Sequence, residues 1–307
     1  MSVNPILASL RNRIVDGEQN ALFSWNEELE ELYKNGLSID EVLQYLYFEK
    51  PNLQDFMRWV NRDDLKKIVE EPRIDDKNDL EVLSTSELDF FETNGYIILK
   101  NAISEEDCLA TQKIIWDFLE MNPTDSATWY KSHPMQRGLM VNFFNHAILE
   151  KNRNSMRIKR AYEQLYQSDN IYKTIDKVSF NPPVTSQYTF KGSDLHWDVS
   201  LQLPIPFRLQ GLIYLSDCGA NDGAFHCVPG FHKTIEDWLS TVPQGCQPRE
   251  YALQTLKPMP IVGNTGDMVI WHQALPHCAT PNNGKKPRMV QYLTYFKEDY
   301  KDQRKWI

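Results

Sequence analysis

The sequence predicts a mainly β protein, a jelly roll or β-sandwich with flanking helices, preceded by a helical N-terminal extension. Three observations carry this. Apolar residues recur at helical spacing through the first 70 positions. From residue 171 the periodicity shifts towards two, in the short segments 184–190, 209–216, 224–228, 267–272 and 288–296. Turn residues separate these segments at Asn221-Asp222-Gly223, Pro229-Gly230, Gly263-Asn264 and Asn282-Asn283-Gly284, the punctuation of a two-sheet β architecture.

In the extension, Ser38 and Glu41 predict a capping box ahead of the stripe Ile39, Val42, Leu43, Leu46 and Tyr47. Pro51 stops that helix, and Leu53, Phe56, Met57 and Val60 begin another. The acidic stretch Glu70 to Leu80 reads as a linker. The expected division is therefore 1–80, an acidic helical extension, and 81–307, the β domain. The apolar stripes need burial, so the extension is expected to pack on the barrel.

A second capping box, Ser84 with Glu87, predicts a short helix closing at Gly95, followed by a strand over Tyr96–Leu99. Ser104 is placed to cap a longer helix through Leu119. Ile158, Ala161, Tyr162, Leu165 and Tyr166 share one face of a helix near 155–167.

Composition bounds the function. A chain of 307 residues, 41% hydrophobic and 24% charged, can bury a large core as a globular protein. No apolar run nears the roughly 18 residues that span a bilayer. Met1 to Asn20 shows no secretory pattern. Five cysteines without a C-x-x-C pair read as reduced thiols, which makes cytoplasm the expected compartment. Net charge is −9, and the first 80 residues hold 17 acidic against 10 basic side chains. Without a basic stripe, nucleic acid is not an expected partner. The cluster Lys151, Arg153, Arg157, Lys159 and Arg160 reads as a solvated helix face.

The chemistry concentrates late in the chain. His196-Trp197-Asp198 is the only His-x-Asp/Glu triplet. With seven histidines and 42 acidic residues, one such triplet is an ordinary chance event. Its surroundings give it weight. A histidine and a carboxylate two residues apart on extended chain project side by side, and a second histidine, His272 or His277, can close one face of an octahedral metal. Two imidazoles and one carboxylate with open positions form the facial triad of non-haem Fe(II) oxygenases. Arg288 opens the β-like run Met289 to Phe296, and its planar fork suits a carboxylate held by two bonds.

Taken in order, these landmarks resemble the phytanoyl-CoA dioxygenase-like branch of Fe(II)/2-oxoglutarate oxygenases. The resemblance runs over about residues 84–298. It begins at Ser86-Glu87-Leu88-Asp89-Phe90-Phe91 and passes through Leu195-His196-Trp197-Asp198. It continues with Asp222-Gly223-Ala224-Phe225 and Val228-Pro229-Gly230-Phe231-His232, and closes with Gly266-Asp267 through His277 to Arg288. Phe231 stands where the family usually has serine, and Ala279 replaces a frequent small hydroxyl residue.

The resemblance implies a double-stranded β-helix with the metal at its mouth. It implies Fe(II) on His196, Asp198 and His277, the last favoured over His272, with 2-oxoglutarate and O2 as co-substrates. Arg288 would hold the far carboxylate of 2-oxoglutarate, with Thr189 and Tyr214 as further co-substrate contacts. The implied reaction hydroxylates an unactivated C–H bond of a small molecule and releases succinate and CO2. Asp198 argues against the halogenating branch, which lacks that carboxylate. The implied substrates range over acyl-CoA thioesters, amino acids and natural-product intermediates. Leu201 to Phe207 is expected to give the pocket an apolar wall. Two alternatives are a non-catalytic jelly-roll binding protein and a metal cupin that does not use 2-oxoglutarate.

Overall fold

The computed structural model describes residues 3–18, 22–62, 81–298, 300, 302 and 304–306. The expected linker and most of the region around the domain boundary lie outside the described residues.

Among the described residues the extension forms four α-helices, α1 (Pro5–Arg11), α2 (Trp25–Lys34), α3 (Ile39–Glu49) and α4 (Leu53–Val60), with a π-helical turn over Asn12–Asp16 after the first. They share a core of their own, in which Leu7, Leu10, Leu32, Leu46 and Phe56 are fully buried. Ser38 precedes α3 but makes no side-chain capping bond. The Glu41 carboxylate that would complete the box is drawn instead to Arg62 at 2.6 Å and to Asn145 at 3.1 Å. Tyr47, expected in the stripe, is 58% exposed, so the buried face of α3 rests on Val42 and Leu46.

The β domain is built on two antiparallel sheets. The larger has the order β1-β9-β6-β11-β5-β3-β2. It comprises β1 (Tyr96–Leu99), β2 (Gln136–Arg137), β3 (Met140–Val141), β5 (Val178–Asn181), β6 (Leu209–Tyr214), β9 (Met268–His272) and β11 (Arg288–Tyr292). The smaller joins β10 (His277–Ala279), β7 (Phe225–Cys227) and β8 (Met259–Ile261). A separate pair joins β4 (Ile171–Lys173) to β12 (Tyr295–Lys297). This arrangement is the jelly roll.

Strand alternation explains how one sheet serves two cores. Leu212, Tyr214, Val269, Trp271 and Val290 face the smaller sheet, where they meet Phe225, Cys227, Ile261 and Cys278. Their neighbours Ile213, Leu215, Met268, Ile270 and Met289 face the other way. There they pack against α5 (Thr85–Asn94), α6 (Glu105–Phe118), α7 (Ala147–Arg153) and α8 (Met156–Tyr166). A strand buried on both faces is apolar at nearly every position, as β9 is from Met268 through Trp271.

The capping box at Ser84 and Glu87 forms with both reciprocal bonds, and Gly95 closes α5 in the left-handed region at φ 74°. Segment 184–190 departs from the expectation of a strand. The Thr185 hydroxyl accepts the amides of Gln187 and Tyr188, and the Thr185 N–H donates to the Tyr188 carbonyl at 2.8 Å. A side chain that captures nearby amides turns the chain back and removes the ladder a strand needs. The run expected at 288–296 is interrupted between β11 and β12, at Leu293 and Thr294.

The extension docks beside the barrel mouth. Tyr33 of α2 is buried with Phe144 and Ile175, its ring 6.4 Å from Tyr172 and 6.5 Å from Phe296. Asp40 of α3 pairs with Lys177 at 2.5 Å, and Lys34 with Glu298 at 2.9 Å. No helix among the described residues is long and apolar enough to cross a membrane.

Candidate metal centre and its cavity

His277 is the first residue of β10, and an isolated bridge pairs it with His196. Each donates its N–H to the other's carbonyl, at 3.0 and 2.9 Å. Residues paired this way in an antiparallel ladder put their side chains on the same face. The two imidazole rings lie 4.6 Å apart. Asp198 follows two residues on and returns to that face. Trp197 between them turns inward, where its indole N–H donates to the Ala274 carbonyl at 2.8 Å. The chain's only His-x-Asp/Glu triplet therefore has its function split by pleat: the outer two residues face the cavity and the middle one anchors the strand.

The nitrogen of each imidazole that faces away from the cavity is spoken for. His196 Nδ1 lies 2.7 Å from the Asp194 carbonyl, and His277 Nδ1 3.1 Å from the Leu275 carbonyl. A carbonyl only accepts, so both Nδ1 atoms carry the proton and both Nε2 lone pairs are left for a ligand. His277 Nε2 lies 3.2 Å from Asp198 Oδ2, and His196 Nε2 3.7 Å from Oδ1. The three ligand atoms all lie within 4.8 Å of one another.

Charge states favour a cation. Burial and the neighbouring His277 push the His196 pKa down, which keeps it neutral. Burial would raise the Asp198 carboxyl, but the positive charge that His277 carries when Nε2 holds a proton and the Gln210 bond outweigh that and hold it below the usual carboxylate range; a metal cation would take that proton's place between the two. Neutral imidazole and ionised carboxylate are the forms a divalent metal requires.

Supporting residues invisible to the motif reading complete the site. Gln210 donates from Nε2 to Asp198 Oδ2 at 2.7 Å and accepts from Trp271 Nε1 at 3.0 Å. Arg249, on α10 (Pro248–Thr255) beyond α9 (Phe231–Ser240), donates to the Trp197 carbonyl at 2.7 Å and the Val199 carbonyl at 2.8 Å. It clamps the backbone on both sides of Asp198. The only sequence signals were an ordinary Gln on a strand and an ordinary Arg on a helix.

Arg288 is 2% exposed and opens into the same cavity as the triad. Its Nε and Nη1 are buried with no hydrogen-bond partner. A buried guanidinium left unpaired is costly and calls for an anion. The cavity measures about 330 Å³, with Trp271, Phe225, Leu212 and Tyr292 among its walls.

Three sequence expectations change on meeting these contacts, and the alternative ligand His272 falls away. Tyr214 is fully buried and its ring lies 5.6 Å from the Arg288 guanidinium. Its hydroxyl, however, donates to the Ile261 carbonyl at 2.7 Å and accepts from the Phe225 N–H at 3.0 Å, which ties the two sheets together. Thr189 is exposed and outside the cavity lining, because the 185–188 turn carries it away. His272 accepts the Ala274 N–H and packs its ring on Phe207 and His232, away from the triad. Leu201 to Phe207 does not line the cavity, and Arg208, which follows it, lies over the Phe296 ring at 3.3 Å.

A jelly roll with two imidazoles, one carboxylate and an unpaired guanidinium around one cavity has the attributes of the 2-oxoglutarate-dependent non-haem iron oxygenases. Comparison with known proteins agrees. The phytanoyl-CoA dioxygenase (PhyH) family model matches residues 91–290. A Dictyostelium discoideum protein provisionally named a phytanoyl-CoA dioxygenase is 24% identical over 260 residues, covering 68% of this chain and 74% of its own. Ectoine dioxygenase of Bordetella bronchiseptica is 22% identical over 240 residues, covering 70% and 76%. Among solved structures, AviO1 from Streptomyces viridochromogenes superposes with TM-score 0.51 at 16% identity, covering 70% of this chain and 95% of that one. HygX from Streptomyces hygroscopicus, crystallised with nickel and 2-oxoglutarate, gives 0.50 at 15%, covering 73% and 91%. The chain belongs to the phytanoyl-CoA dioxygenase family, and so to the 2-oxoglutarate-dependent dioxygenases.

Proposed function

We propose that this enzyme hydroxylates an unactivated C–H bond of a small-molecule substrate. Fe(II) would be held by His196, Asp198 and His277, and 2-oxoglutarate by Arg288. The observation that carries the reading is the Arg288 guanidinium, buried, without a partner on Nε and Nη1, and open to the cavity that the triad faces. With metal and co-substrate bound, the site would couple O2 and decarboxylation of 2-oxoglutarate to insertion of one oxygen atom, giving alcohol, succinate and CO2.

The protein's share is positional. The Asp194 and Leu275 carbonyls fix each histidine's tautomer, and Gln210 fixes the carboxylate. Arg288 presents a planar fork that orients a dicarboxylate by its far end. Trp271 and Phe225 close the inner wall and limit water there. Tyr214 bears on the co-substrate only through the position of Arg288, and Thr189 takes no part. All five cysteines are free and four are buried, which supports a reducing, cytoplasmic setting.

Anaerobic titration of metal-free protein with Fe(II) and 2-oxoglutarate tests the reading through the visible charge-transfer band of the chelate. The expected band needs both additions, is lost in His196→Ala, and needs far more 2-oxoglutarate in Arg288→Ala. Iron-loaded, folded protein with no band on adding 2-oxoglutarate would overturn it.

A further inference from the structure

Besides the triad and Arg288, the cavity is lined by one more carboxylate and one more ammonium, Asp176 and Lys177, in the segment leading into β5. Their situations differ. Lys177 is drawn outward to Asp40 of the extension, 2.5 Å from its carboxylate. Asp176 has no ion-pair partner within 4 Å among the described residues. Its one side-chain hydrogen bond there comes from the Thr174 hydroxyl to Oδ2, at 2.5 Å.

The other nearby cations are engaged elsewhere. Arg153 donates to the backbone carbonyls of Phe144 and Asp176 and pairs with Glu150. Arg208 is stacked over Phe296 and Tyr300. The cavity thus holds a guanidinium and a carboxyl that have no direct ion-pair partner among the described residues. Arg288 answers to the anionic co-substrate; Asp176 feels Arg153 and Lys177 only at a distance. Burial pushes its carboxyl up, against the Thr174 bond and the charges of Arg153 and Lys177, so a cation arriving there would relieve a strain the fold leaves in place.

We propose that the primary substrate carries a protonated amine, and that Asp176 is the residue that receives it. The inference rests on the proposed oxygenase reading only for the statement that Arg288 is reserved for 2-oxoglutarate. It also gives the extension a part in specificity. By holding Lys177 outward, Asp40 keeps an ammonium from neutralising Asp176 and leaves the substrate side of the cavity negative. A cavity of about 330 Å³ that must also admit 2-oxoglutarate points to a small amine, or to the amino end of a longer molecule reaching in through the mouth.

Three fragments of similar size test this on the full chain: butylammonium, butyramide and butyrate. Each is titrated by ligand-observed NMR, first against metal-free protein and then with Zn(II) and 2-oxoglutarate present. Butylammonium is expected to bind about 10-fold tighter than butyramide, the increment of one charge-assisted hydrogen bond. Asp176→Asn should remove that difference, and Lys177→Gln should leave it. Equal or tighter binding of butyramide, of butyrate once 2-oxoglutarate is present to occupy Arg288, no binding of butylammonium, or an ammonium preference that survives in Asp176→Asn with Zn(II) and 2-oxoglutarate present would overturn the proposal. The ranking on unaltered protein decides even if a variant fails to fold. An ammonium preference in protein that does not chelate 2-oxoglutarate would sink the co-substrate reading alone. Chelation without the preference would sink this one alone.

Discussion

Gln210 and Trp271 stand opposite each other across β6 and β9, and the Trp271 indole decides which way the Gln210 amide points. An indole N–H only donates, so the amide oxygen must face it, and the NH2 is left for Asp198 Oδ2. One oxygen of the metal-facing carboxylate is therefore fixed by a strand pair in the larger sheet, while the histidines hang from the smaller one.

Replacing Gln210 tests that arrangement. Gln210→Leu should weaken metal binding by about 10- to 100-fold, the usual effect of removing a residue that orients a ligand. Trp271→Phe should have a smaller effect in the same direction, since the amide keeps its place but loses its fixed orientation. Titration with Co(II), read by its visible absorption, checks both. Unchanged affinity in Gln210→Leu would show that Asp198 needs no support.

Arg288 offers a test in which stability and function move in opposite directions. Arg288→Met removes a buried cation two of whose nitrogens, Nε and Nη1, lack a partner, so cofactor-free protein should gain about 1–3 kcal/mol against urea unfolding. The same variant should lose 2-oxoglutarate affinity by about 100-fold or more, because two charge-assisted bonds go with it. A variant destabilised in the cofactor-free state would mean that Arg288 is satisfied by the fold itself.

The Tyr214 hydroxyl bridges the two sheets through Ile261 and Phe225. Tyr214→Phe leaves a buried carbonyl and a buried N–H without that partner, at a cost of about 2–4 kcal/mol. Its affinity for 2-oxoglutarate should stay within about 3-fold of the parent, well short of the roughly 10-fold that one charge-assisted bond is worth. Chemical denaturation and the chelate titration separate the two quantities.

His272 makes stability depend on pH. Burial first, then the neighbouring His232, pushes its pKa down to about 3. The fold therefore needs it neutral. Stability is fully present above the ordinary histidine value near 6.5 and is lost as pH falls from there towards 3. At pH 5 the His272 share of the loss should be about 2 kcal/mol, and His272→Gln should remove that share of the slope. A denaturation series between pH 7 and 5 on both proteins checks it.

Much of this was legible in advance wherever the signal was local. Ser84 with Glu87, Gly95 and the 156–166 stripe announce themselves within one or two helical turns. The strand at 184–190 was misread because Thr185 competes for the backbone amides, and sequence alternation does not register that competition. The capping box at Ser38 failed for a related reason: Glu41 found Arg62 and Asn145, partners far along the chain.

By itself the sequence determined the kind of chemistry. A His-x-Asp triplet, a later histidine and an arginine opening a strand, set among turn landmarks in one order, name a donor set and an anion holder wherever the chain is placed. Only the tertiary structure decided which histidine joins. His277 bridges His196 across a ladder, while His272, five residues away, is turned into packing with Phe207 and His232. It also placed Gln210 against Asp198, Arg249 against the backbone on either side of it, and the Tyr214 hydroxyl between the sheets. Those roles are set by which groups have partners after folding. Partnership is a property of residues brought together from distant parts of the chain, so no local pattern could carry it.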